Sequence, residues 1–149
     1  MFCKCECCKK INWKKVIVLG FLGGLVMLIL SIVSQITSTI FPSLASEYTN
    51  AGLFRPWSDP IMSLYFLYPF IQGLVVAFVW EMVKKLCAEG TWAQKGICFG
   101  FIFWLLTSIT GMLISYSTFP VSFLMIVSWS LSSLVGLLGA GLVNAKMNK

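Results

Sequence analysis

The chain has 149 residues, 58% of them hydrophobic and 11% charged, with eleven Lys and Arg against five Asp and Glu and a net charge of +6; its mean hydropathy is +0.90. So much apolar surface cannot be hidden in a soluble core of this length, which excludes an ordinary soluble domain. With no His and few acids, no nucleophile, base and orienting group fall at one depth, so the sequence argues against an enzyme.

Residues 1–15 form a Cys- and Lys-rich tail in which Cys3, Cys5, Cys7 and Cys8 fall within six positions. Thiolates at that density suit a soft ion such as Cu(I) or Zn(II), although the spacing lacks the paired turns of a zinc knuckle. Juxtamembrane cysteines beside Lys9 and Lys10 equally suit S-acylation. A short basic tail that simply tolerates cysteine is the third reading.

A bilayer core about 30 Å thick takes roughly 20 apolar residues per helix, and four such runs fill residues 16–144 as a single domain. The first spans 16–39 and stops before Phe41-Pro42; it is too long for a signal-peptide core and reads as uncleaved. Residues 41–60 form a polar outer loop carrying Glu47, Arg55 and Asp59 as a charged cluster. The second span, 61–83, is interrupted by Pro69, which predicts a kink. A basic turn, Lys84 to Lys95, leads to a short third span, 96–115. Pro120 reads as the first turn of the fourth span, 120–143, capped by Thr118. A basic tail, 145–149, ends the chain. The fold class expected is all-α: a polytopic integral membrane protein of four transmembrane helices in an antiparallel bundle.

Orientation follows from charge. Ten of the eleven cations lie in the two tails and the Lys84 to Lys95 turn, against Arg55 alone on the other face, so both termini are expected in the cytoplasm. The basic excess is thereby assigned to topology and lipid headgroups, with no nucleic-acid partner. Small size without sorting signals points to a prokaryotic inner membrane.

Helices in a bilayer associate through small residues and interhelical hydrogen bonds. Gly20 and Gly24 mark such a seam in the first span, Gly96, Gly100 and Gly111 in the third, and Ser132, Gly136 and Ala140 in the fourth. The fourth-span seam is the expected place for a second copy. Gln72 falls near the bilayer centre at about 1.5 Å per residue, and with Gln35, Ser31 and Thr107 it forms a candidate polar core or solute path. Glu81 has Lys84 and Lys85 at ion-pairing spacing.

In size the chain resembles the small four-helix multidrug exporters, a likeness that implies an embedded glutamate in the first helix; residues 16–39 contain no acid. Its helix count resembles that of quinone-linked disulfide-forming enzymes, which need cysteine pairs on the oxidising face, and residues 41–60 contain none. Neither mechanism carries over. The function expected is therefore a non-enzymatic membrane protein acting through helix packing, as a homo-oligomer or as an accessory subunit of another membrane protein. The alternatives are a small transporter or pore for a neutral or cationic solute, and a soft-metal-handling protein.

Overall fold

The computed structural model describes residues 11–49, 54–56, 58–84 and 90–148. The tail cysteines Cys3, Cys5, Cys7 and Cys8, and also Trp57, Lys85 and Cys87, lie outside the described residues. Among the described residues the structure is helical, with no strand.

Helix α1 spans Trp13–Ser38. It begins three residues before the expected boundary because Asn12 caps it, its side-chain oxygen accepting from the Lys15 N–H at 3.2 Å. Pro42 stops nothing by itself. It occupies the first turn of a short helix, α2 (Pro42–Tyr48), where its missing donor costs nothing, so the expected outer loop contains a helix. A 3-10 turn, Pro60–Ser63, follows the cap Asp59, whose carboxylate accepts from the Ile61 N–H at 2.9 Å. It runs directly into α3 (Leu64–Val83), which stays helical through Pro69.

Helix α4 (Trp92–Trp104) starts four residues earlier than expected, on a capping box in which Thr91 and Gln94 satisfy each other's backbone N–H groups. A π-helical turn, Leu105–Ile109, joins it to α5 (Thr110–Thr118). The third span is therefore 27 residues, 92–118, and not a minimal one. Phe119 is extended, at φ −106° and ψ 140°, as the residue before a proline must be, and the helix ends there. Pro120 thus precedes α6 (Phe123–Lys146) instead of filling its first turn; Ser122 caps that helix, accepting from the Met125 N–H at 3.2 Å. Four helical stretches, 13–38, 60–83, 92–118 and 123–146, are each long and apolar enough to cross a membrane.

Packing is chain-like. Helix α1 lies against α3 on one side and α6 on the other, and α4 lies against α6. Glycine sets the separations. A β-carbon on Gly24 would stand 2.8 Å from the Phe70 Cα, and one on Gly73 would strike the Gly20 carbonyl. Across α4 and α6, a β-carbon on Gly100 would stand 2.6 Å from the Leu137 carbonyl oxygen. Contact this close gains dispersion energy without needing a hydrophobic effect, the form of association open to helices in lipid. Between these pairs Met27, Val76, Trp80, Phe99, Leu137 and Ala140 form a buried core. Large apolar residues on the outward faces, Phe21, Ile29, Val75 and Leu113 among them, are exposed.

Candidate functional site

Away from the glycine contacts the helices separate and surround a cavity of about 1040 Å³, at the upper end of the roughly 300–1,000 Å³ usual for ligand pockets. Its walls come from all four spans. Helix α1 supplies Met27, Ser31 and Gln35; α3 supplies Tyr65, Tyr68 and Gln72; α6 supplies Trp129, Ser132, Ser133 and Gly136. The π turn and α5 supply Thr107, Ser108 and Gly111.

Local geometry decides what these groups offer. The Ser31 hydroxyl donates to the Leu28 carbonyl at 2.8 Å, Thr107 to Phe103 at 2.8 Å and Ser115 to Gly111 at 2.9 Å. Donors spent within their own helices leave oxygen lone pairs as what the hydroxyls can present to an occupant. Gln35 and Gln72 add amides, which both donate and accept. A π turn adds a residue to the helical turn and commonly marks functional sites. Here it lies where Ser108 Oγ meets Ser133 Oγ of α6 at 2.6 Å, just beyond the Trp104 indole N–H, which donates to the Ser130 carbonyl at 3.0 Å.

The connecting segment between the first two spans roofs the cavity. Tyr48, Thr49, Phe54, Arg55 and Pro56 all line it. The Trp129 indole N–H donates to the Tyr48 hydroxyl at 2.6 Å, and Phe54 stacks on Tyr48 at 5.6 Å and stands edge-on to Trp129 at 6.2 Å. Burial pushes the Tyr48 phenol above its ordinary pKa, the Trp129 bond opposing the shift. Glu47 fastens the same segment to α6: its carboxylate accepts from the Ser122 N–H at 3.0 Å. This is the job a glutamate three residues into the helix performs in a capping box, and Met125 occupies that position here. Hydrogen bonds from the Ser122 hydroxyl and backbone hold Glu47 below the usual carboxylate range.

Among the described residues Arg55 is the one charged side chain lining the cavity, and Asp59 pairs with it at 2.9 Å. Hydrogen bonds from the Ile61 backbone and from Arg55 lower the Asp59 pKa. The expected outer cluster is therefore divided, Arg55 with Asp59 and Glu47 with Ser122. Within the buried core Trp80 and Phe99 meet edge to face, with centroids 5.1 Å apart.

Ser31, Gln35, Gln72 and Thr107, chosen from sequence as a polar core, all line this single cavity. The small residues divide. Gly20 and Gly24 lie against α3, and Gly96 and Gly100 against α6. Ala140 lies 3.6 Å from where a Gly23 β-carbon would stand, and Gly136 faces Met27. Two residues of the fourth-span seam expected to receive a second copy, Gly136 and Ala140, thus lie against α1 of the same chain, while Ser132 lines the cavity. Gly111 touches no helix: a β-carbon there would meet nothing within 4 Å. Among the described residues no three His, Cys, Asp or Glu side chains come together as metal ligands.

The Tyr48–Trp129 and Glu47–Ser122 bonds join residues 81 and 75 positions apart, and no local pattern announces them. The chain matches no family model, no curated protein and no solved structure.

Proposed function

We propose that this chain is a non-enzymatic integral membrane protein that binds a neutral small molecule carrying hydrogen-bond donors, in the cavity between its four spans. The observation that carries the reading is the convergence of Ser31, Gln35, Gln72 and Thr107, from three different spans, on one cavity with aromatic walls. Among the described residues no carboxylate lines it, and the one cation that does is already paired with Asp59. That balance favours an uncharged occupant over the cationic one. Desolvating a charge there would cost more than the cavity's hydroxyls and amides could return.

The antiparallel bundle with both termini in the cytoplasm belongs to the same proposal, supported by the placement of ten of the eleven cations. The cavity then opens toward the outer face beneath α2, and Trp80 and Phe99 close the cytoplasmic end. Transport would need those two rings to part, so the proposal is a binding or carrier protein and not an open pore. Self-association through the fourth-span seam is not part of the proposal, since Gly136 and Ala140 of that seam lie against α1.

The test is equilibrium binding in nanodiscs with a panel of radiolabelled neutral probes: indole, p-cresol and glycerol. Saturable binding of the aromatic probes is expected, weakened about tenfold by Gln72→Leu through the loss of polar partners. Gly111→Leu, which fills open space in the cavity, should displace the probe while the protein stays folded. Binding that never saturates for any probe would contradict the proposal.

A further inference from the structure

A second, smaller cavity of about 220 Å³ lies at the end of the molecule that carries the termini, and the proposal above does not use it. Trp80 and Lys84 reach it from the end of α3, Trp92 and Lys95 from the first turn of α4, and Ala145 and Asn148 from the end of α6. Donors predominate among these groups. Ammonium and indole groups donate hydrogen bonds and accept none; the Asn148 amide, which donates one N–H to the Asn144 carbonyl at 2.9 Å, brings the one side-chain acceptor among the described lining residues.

Trp80 is only 3% exposed, and its indole N–H has no hydrogen-bond partner among the described residues. A buried donor left without an acceptor is costly, so an acceptor supplied from outside would be stabilising. Charge points the same way. Lys84 is held by Glu81 at 2.7 Å, but Lys95 makes no ion pair among the described residues. Lys146 stands 5.9 Å from the Trp92 ring centroid, bringing a third ammonium to this end. Two ammonium groups, Lys84 and Lys95, therefore line the cavity and Lys146 stands near it over Trp92, with one carboxylate, Glu81, beside them among the described residues.

We propose that this cavity is a phosphate-binding site, filled by the headgroup phosphate of an anionic phospholipid. A phosphate presents several anionic oxygens, the complement of a cavity lined mainly by donors, and basic pockets between membrane helices take such headgroups. A lipid is favoured over free phosphate by place. The lining residues sit at the ends of helices long and apolar enough to cross a membrane. Cys98 and Ile102, three and seven residues beyond Lys95 and so on its side of α4, are both exposed, offering an apolar track for an acyl chain.

The experiment is native mass spectrometry of the intact protein, titrated with phosphatidylglycerol, phosphatidylcholine or inorganic phosphate. Wild type should retain phosphatidylglycerol in preference to phosphatidylcholine. Lys95→Gln should lower that retention about tenfold, Lys95→Arg should restore it, and Trp80→Phe, which removes the N–H and keeps the ring, should lower it as well. Saturation by inorganic phosphate, lost in Lys95→Gln and with no preference between the lipids, would support the site and assign it to free phosphate. Lys95→Gln and Trp80→Phe both binding phosphatidylglycerol as wild type does would overturn the proposal. Since neither the large cavity nor Gly111 enters this experiment, its result is independent of solute binding.

Discussion

The two halves of this molecule use the same four helices differently. In the half that carries the termini, Gly20, Gly24 and Gly73 bring α1 and α3 to backbone contact, and Gly96, Gly100 and Gly141 do the same for α4 and α6. In the other half the corresponding positions are Ser31, Gln35, Thr107, Gly111 and Ser132, and the helices hold a cavity open. Small size alone does not close a helix pair. Gly111 is as small as Gly100, yet it faces empty space where Gly100 faces the Leu137 carbonyl. What differs is the opposing surface: tyrosines, Trp129 and the docked segment around α2 prop the cavity half apart, whereas glycine meets glycine in the other.

The sharpest way to break this contrast is to put the same side chain into both halves. Gly73→Leu should prevent folding or destabilise at the top of the about 1–3 kcal/mol range for overpacking, because its β-carbon runs into α1 backbone. Gly111→Leu should leave thermal stability in detergent unchanged or slightly raised, since leucine is also the better helix former. Equal destabilisation by the two would erase the distinction.

A smaller effect is expected at the end of α3. Lys84→Met leaves Glu81, whose side chain is 4% exposed, without its partner. A loss of about 2 kcal/mol follows, discounted from the full buried-pair value because Lys84 is itself about a third exposed. Denaturant unfolding of the variant measures it.

The segment around α2 should respond to acid. The Glu47 carboxyl is held below its ordinary value of 4.5 by Ser122, so the folded-state pKa is depressed. Its contribution to docking α2 is complete above pH 4.5 and is lost as the pH falls through the lower folded-state value. Hydrogen exchange in α2 should rise over that window, and Glu47→Gln should flatten the dependence. The smallest effect belongs to Tyr48→Phe, which removes one hydrogen bond to Trp129 and should cost about 1 kcal/mol, read as earlier exchange of the Trp129 indole proton.

The four apolar runs were legible because a bilayer imposes length and composition on each segment separately. The Glu81–Lys84 pair was legible for a similar reason, both partners lying on one helical turn. Boundaries were less so. Asn12 and the Thr91–Gln94 box extend two helices backwards through polar residues that hydropathy assigns to turns. Ser122, and not Thr118, caps α6: Thr118 is the last residue of α5, and the Ser122 hydroxyl accepts from the Met125 N–H. The roof was the least legible part. Its bonds depend on which helices become neighbours, a fact written in no local spacing. Gly136 and Ala140 show the converse, a clear local pattern whose partner, α1 or a second copy, only the three-dimensional arrangement decides.

The central claim is a cavity open to the outer face and closed at the inner one. Labelling by a charged, membrane-impermeant maleimide added outside intact cells tests it most directly, comparing Ser132→Cys, which lines the cavity, with Ala140→Cys, which is fully buried. The account predicts rapid labelling at position 132, slowed by saturating indole, and none at position 140. Equal labelling at both positions, or none at 132, would contradict it.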